Sequence, residues 1–517
     1  MSKKNQPVQL PYEEIIKEDD VIPKEIDVLE KILRDLFHNC SDFRLKRFKH
    51  FKSNTEYLLA WMDGMSDKTA MREHVVEGII NVEKDMLTNS NLTDGVIPII
   101  DIKREKNFKK TIDELMTGSP ILILDGTGEA IIMGLIAIES RNVTESTNEN
   151  NVRGPKEAFT ETLRTNGALI RKKIHTPNLK LEEKIVGKVT KTKILIVYID
   201  GIANPSIIEE VKNRINKIDI DSVLESVYIE EFIEDNKFSV FPQIEHTEKP
   251  DKIAAALLEG RISILVDGSP TVIIVPTVFA CFLQSAEDYY ERYIYTSFVR
   301  VLRFTYINIS LLFPSIYIAT TTFHPEMIPT KLLLTIEASR EGIPFPAFIE
   351  ALIMEVTFEV LREAGVRLPR AIGQTISIVG ALVIGQAAVQ AGIVSPAMVI
   401  VVSTTAIASF SIPAYNVSFA LRLLKFPIMF LAASLGFYGI MSALLILLVH
   451  LCRLKSFGVP YLSGFAPFIA EEIKDTFFRG PWWWMYNRPR IFQPKQTKRQ
   501  SVKKILQNAY LKWLGEE

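Results

Sequence analysis

Between Ala371 and Leu421 the chain runs fifty-one residues without an Asp, Glu, Lys, Arg or His. About 20 apolar residues carry a helix across a ~30 Å hydrocarbon core, so this run can cross twice, turning at Ser395-Pro396. Charge-free stretches flank it, Phe304–Phe323 before and Phe426–Val449 after. Nothing comparable occurs earlier. A soluble region is therefore expected ahead of a small membrane bundle.

The mean hydropathy of +0.14 hides this asymmetry. A net charge of −1 gives no basic field for nucleic acid. Cys40, Cys281 and Cys452 are too far apart for a disulfide framework or a metal cluster, and read as buried thiols. Lys3 and Lys4 are followed by polar and acidic residues with no apolar core, which argues against a cleaved leader and puts the first domain in the cytoplasm.

In the soluble half, residues 1–24 are polar and read as a flexible tail, and Val28, Leu29, Ile32, Leu33 and Leu36 then recur at helical spacing. Ile121–Leu124, Asp125-Gly126-Thr127-Gly128 and Ala130–Met133 read as a β-hairpin. Its pattern returns 142 residues later around Asp267-Gly268, with Ile131-Ile132 matched by Ile273-Ile274. That period is too long for a solenoid and suggests two related lobes, 25–150 and 151–290, joined through the polar Asn142–Asn151. The Asp-Gly pairs lack P-loop or G-x-G-x-x-G spacing, so turn chemistry explains them better than phosphate or metal. No histidine has a companion at ligand spacing and no nucleophile–base pair is legible. An enzyme, a cofactor and a metal are not expected.

Arg292, Arg300 and Arg303 precede the first apolar stretch, and Arg453 and Lys455 follow the last. The positive-inside rule puts both ends in the cytoplasm, and four crossings fit: about 304–323, 374–393, 396–413 and 427–450. Pro346–Ala364 is helix-length but carries Glu350, Glu355, Glu359, Arg362 and Glu363, costly in lipid. An interfacial or re-entrant amphipathic helix fits it better. Its carboxylates Glu355, Glu359 and Glu363 are either a solvated, internally paired face or vestibule groups that concentrate cations at a pore.

In 374–393, Ala381, Gly385, Ala388 and Gly392 form a small-residue stripe for close helix packing. Beside it lie Leu382, Val383, Gln386 and Gln390. Intramembrane glutamines should face other helices or water, which leaves interhelical hydrogen bonding or an ion pathway. Leu382, Val383 and Gln386 are the candidates for its narrowest point. The tail pairs Trp482–Trp484 with Arg488, Arg490, Lys495, Lys498 and Arg499; it either lies at the membrane interface or docks on the soluble domain. The expected architecture is a two-lobed α/β cytoplasmic domain followed by an all-α multipass membrane bundle over 291–455 and a cytoplasmic C-terminal tail over 456–517.

One set of strings carries a family likeness. They include Arg153-Gly154-Pro155-Lys156-Glu157-Ala158-Phe159-Thr160-Glu161-Thr162, Phe241-Pro242-Gln243 and Thr247-Glu248-Lys249-Pro250-Asp251-Lys252. Ile343-Pro344-Phe345-Pro346, Gly373-Gln374, Ile384-Gly385-Gln386-Ala387-Ala388 and Pro481-Trp482-Trp483 continue it. Over about residues 30–500 the chain resembles the GerA family of spore germinant-receptor A subunits, to which a related sporulation protein of similar layout also belongs. The resemblance implies a multipass protein of the spore inner membrane, with N-terminal domain and C-terminal tail facing the spore core. It implies a transporter-like B subunit and a lipoprotein C subunit as partners, and a homo-oligomeric cation channel gated by a nutrient germinant. A transporter or a non-conducting scaffold are the rival readings.

Overall fold

The computed structural model describes residues 12, 16–50, 55–81, 97–137, 149, 152–367, 385–469 and 472–499. Its soluble part is built twice on one plan. The first lobe holds α1 (Ile26–Leu36), β1 (Phe43–Lys49), β2 (Glu56–Met62), β3 (Ile102–Glu105), α2 (Phe108–Met116), β4 (Ile121–Leu124) and β5 (Ala130–Met133). The second holds α3 (Leu163–Arg171), β6 (Leu179–Val186), β7 (Thr192–Ile199), α4 (Pro205–Asn216), α5 (Ser226–Ile233), β8 (Glu245–Thr247), α6 (Pro250–Leu258), β9 (Ile262–Val266) and β10 (Val272–Val275).

The sheet orders are β1-β2-β4-β5-β3 and β6-β7-β9-β10-β8, so adding five to each strand number converts one into the other. Every pairing is antiparallel. Successive strand residues point to opposite faces, and here both faces are covered. Ile121 and Ile123 enter one core while Leu122 and Leu124 enter another. Ile262 and Ile264 part from Leu265 in the same way. Double burial is why these strands read as unbroken apolar runs.

The two Asp-Gly turns do matching work. Gly126 and Gly268 have φ of +82° and +87°, values natural to glycine. Asp125 Oδ1 accepts from Ile26 N at the start of α1, and Asp267 Oδ1 from Leu163 N at the start of α3, both at 3.2 Å. Each turn thus ties a hairpin to the first helix of its lobe. Across the lobes, the fully buried Arg171 donates to Asp42 Oδ2 at 2.8 Å and to the Leu179 carbonyl at 3.0 Å.

One expectation changes, and of the two readings of the tail the contacts favour docking. The N-terminal stretch is not all tail, since Tyr12, Ile16 and Ile22 are buried in the first core. The C-terminal segment docks: Phe457, Val459 and Phe492 join the second core. Arg488 Nε donates to the Leu258 carbonyl at 2.7 Å, and Lys495 N to that of Ile202 at 2.9 Å. Trp483 and Trp484 stay exposed. The Asn142–Asn151 linker lies mostly outside the described residues.

The helical half holds α7 (Tyr293–Thr322), α8 (Thr330–Arg340), α9 (Ala347–Arg367), α10 (Pro396–Phe410) and α11 (Tyr415–Arg453), with a helical turn over 385–390 ahead of α10. Two, α7 and α11, are long and apolar enough to cross a membrane. However, α11 is not one rod, because Gly436 breaks it with φ +60° and ψ −140°. Near its ends, Asn416 meets His246 at 3.3 Å and His450 meets Ser239 at 3.0 Å. A straight helix would hold those residues ~50 Å apart at ~1.5 Å per residue, whereas Ser239 and His246 lie at most ~25 Å apart along the chain. The helix therefore doubles back at Gly436, beside Phe323 and His324 at the far end of α7. The charged helix α9 packs against α7, α10 and α11.

Candidate functional site

In the helical half, beside a buried apolar core, several charged side chains are buried and several large apolar ones are exposed. On α9, Glu350 and Glu355 are 0 % and 1 % exposed while Val356 and Val360 are 47 % and 63 % exposed. On α11, Arg422 and Lys425 are buried, and Tyr438, Met441, Leu445 and Ile446 lie on the surface. Charged side chains are rarely buried unless paired.

Apart from Glu350, those charges meet in one cluster between α9, α10 and α11. Glu355 forms a buried ion pair with Lys425. Glu359 lies 3.2 Å from Arg422 and 3.6 Å from Lys425. Arg362 donates to Ser409 Oγ at 3.0 Å and stacks over Phe410 at 4.6 Å, while Arg422 lies 4.3 Å over Phe419. Three cations face two carboxylates, and Glu355 Oε1, Glu359 Oε1, Arg362 Nε and Arg422 Nε are buried without a hydrogen-bond partner. At the opposite end of α9, Glu350 accepts from Ser395 N at 2.9 Å and from Arg340 Nε at 3.1 Å.

The three carboxylates grouped from sequence therefore separate. Glu355 is sealed in a pair, Glu359 is partly open, and Glu363 is exposed and bound to Arg367 at 2.7 Å. Ala381, Leu382 and Val383 lie outside the described residues. Gly385 is buried with its Cβ direction 3.7 Å from Val399, Ala388 is half-buried, and Gln386 and Gln390 are exposed. Gly392 has its Cβ direction 3.7 Å from the Gly342 carbonyl. It has φ +66°, and Gly392 N donates to the Val389 carbonyl at 3.1 Å, so it ends the helix, a role glycine suits. The sequence reading missed Arg422 and Lys425 as partners of α9. Two basic residues three apart, interrupting an apolar run, were the available signal.

A second polar cluster sits where α7 leaves the soluble part. Arg300, 1 % exposed, holds Asp288 Oδ2 and Asp475 Oδ1, both at 3.0 Å. Arg303 reaches Asp288 at 2.7 Å, and Tyr289 donates its hydroxyl to Asp475 at 2.9 Å. Burial pushes the Tyr289 hydroxyl well above its ordinary range, with the Asp475 charge adding to it. Two of the arginines read as flanking cations thus join α7, the preceding segment and the C-terminal arm.

Comparison with known proteins follows from this architecture. Residues 31–491 match the family model described as Bacillus/Clostridium GerA spore germination protein. Spore germination protein KA of Bacillus subtilis is 46 % identical over 89 % of this chain and 85 % of its own length. The uncharacterized membrane protein YfkQ of the same organism is 42 % identical over 97 % and 99 %, and its spore germination protein A1 is 41 % identical over 92 % and 97 %. Among solved structures, the N-terminal domain of the A subunit of the Bacillus megaterium spore germinant receptor GerK3 matches at 31 % identity. That match has a TM-score of 0.42 and covers 51 % of this chain and 99 % of that one.

Proposed function

This chain belongs to the Bacillus/Clostridium GerA spore germination family, and from that premise we propose that it is the A subunit of a nutrient germinant receptor in the spore inner membrane. In this reading it works with a transporter-like B subunit and a lipoprotein C subunit, and copies of it assemble into a cation channel that opens when a germinant is sensed. The soluble lobes, about 25–150 and 151–290, and the tail over 456–517 face the spore core, and residues 291–455 form the bundle.

The observation that carries the reading is the paired charge buried between α9 and α11, Glu355 with Lys425 and Glu359 with Arg422, on helices that expose large apolar side chains. With α11 doubled at Gly436, the bundle would hold α7, α9, α10, two halves of α11 and the 374–393 segment. That makes six crossings rather than four, and an even number keeps both ends on one side. Leu382, Val383, Gln386 and Gln390 would line the pathway, and Glu359 and Glu363 its mouth. Reconstituted in liposomes with its partner subunits, the protein should release K⁺ on addition of germinant, and Val383→Ala should leak without it. No flux from correctly assembled wild-type protein would favour a scaffold; saturable, gradient-coupled uptake would favour a transporter.

A further inference from the structure

Between one face of α6, the segment leading into α7 and the C-terminal arm lies a cavity of about 300 Å³, within the range of small-molecule sites. Ala255, Ala256 and Leu258 of α6 supply apolar wall, and Tyr289, Tyr290 and Trp482 supply aromatic rings. Cations border it with donors to spare. Arg261, only 4 % exposed, gives Nε to the Pro276 carbonyl at 2.8 Å and Nη2 to Glu245 and Thr277 at 2.6 and 2.7 Å. Its Nη1 is left without a protein partner. Lys252 holds Glu245 at 3.0 Å with one of three possible N–H donors, and Arg499 approaches Glu259 only to 3.4 Å.

Four cations in the wall, Lys252, Arg261, Arg488 and Arg499, face three carboxylates, Glu245, Asp251 and Glu259, of which Asp251 keeps its Oδ1 without a hydrogen-bond partner. Glu245 is paired twice: burial raises its pKa, but Lys252 and Arg261 outweigh burial and hold it down to about 2. Asp251 accepts the Tyr290 hydroxyl. Burial pushes Glu259 up to about 7 despite Arg499. With Arg488 also in the wall, the balance is positive, and buried cationic groups without a full complement of acceptors are costly.

We propose that this cavity binds a small organic anion, a carboxylate carried on a flat or short apolar body. The carboxylate accepts from Arg261 Nη1, Lys252 and Arg499, in the charge-assisted geometry that gives the stronger hydrogen bonds. The body lies against the tyrosine and tryptophan rings, whose apolar area it covers. An ammonium meets like charge there, and a bare inorganic anion leaves the apolar wall uncovered. Because Tyr289 also reaches Asp475 beside Arg300, the site adjoins the joint at the base of α7. It is separate from the charged cluster of α9 and α11 and does not depend on ion conduction.

The test uses the full chain in nanodiscs, with benzoate as probe and benzylamine and inorganic phosphate beside it. Benzoate should raise the unfolding temperature saturably and give a calorimetric isotherm, while the other two give at most a tenth of its affinity. Ala255 is exposed at the cavity wall, so Ala255→Trp should fold normally and abolish the benzoate effect; Arg499→Gln should weaken it about tenfold. Absence of benzoate binding, an equal response to benzylamine or phosphate, or full benzoate binding by folded Ala255→Trp would each overturn the proposal.

Discussion

A carboxylate's surroundings decide what it does, and Glu355, Glu245 and Glu259 show three outcomes. Glu355 is buried opposite Lys425. Removing one partner of such a pair strands a charge and typically costs ~3–5 kcal/mol. Lys425→Glu should therefore sharply lower the unfolding temperature and membrane abundance, and the exchange Glu355→Lys with Lys425→Glu should restore much of both. Failure of the exchange to rescue would mean that packing, not pairing, fixes these positions. Glu245, held at about 2 against an ordinary 4.5, stabilises the fold above pH 4.5, and that stability is lost as pH falls towards 2. Glu259, raised to about 7, has the opposite sign: its contribution is complete below pH 4.5 and is lost as pH rises through 7. Thermal unfolding followed from pH 5 to 8 should show Glu259→Gln gaining on wild type as pH rises.

Among the elements, the doubled α11 rests on one residue. A Cβ at Gly436 would meet His324 Nε2 and Phe323 at 3.1 Å, on a φ of +60°, so Gly436→Ala combines strain of ~1–3 kcal/mol with a clash. Gly458 has φ +81° but nothing near its Cβ direction, which makes Gly458→Ala the milder control in the same melting experiment. The lobes were legible in sequence because each hairpin announces itself with Asp-Gly between apolar runs, and the repeat survives at one spacing. The long apolar helices were legible from length alone. The reversal at Gly436 was not, since a single glycine in an apolar run reads the same in a straight helix. Nor was the place of α9, whose charges are neutralised by Arg422 and Lys425, some sixty to seventy residues on. Helical periodicity sees only neighbours within an element, and this partner belongs to another.

At the level of the whole molecule, the soluble domain is not closed by its own segment of chain. Phe457 and Phe492 are 5 % and 1 % exposed in the second core, and burying such a ring contributes ~1.5–3 kcal/mol. A fragment over residues 12–290, which keeps Tyr12, Ile16 and Ile22 in the first core, should fold, yet melt well below the same fragment carrying 455–499 on a linker. Equal melting temperatures would show that the arm merely rests on the surface. Such a comparison also tests whether the lobes form one cooperative unit through Arg171 and Asp42, because a split transition would appear in the shorter fragment first.

The arm's return has a consequence for how the protein is made. The second core waits for Phe457, Val459 and Phe492, which leave the ribosome only after α7 to α11 have been synthesised. Completing that core is therefore among the last steps in the order of synthesis, and a chain truncated ahead of Phe457 leaves it open.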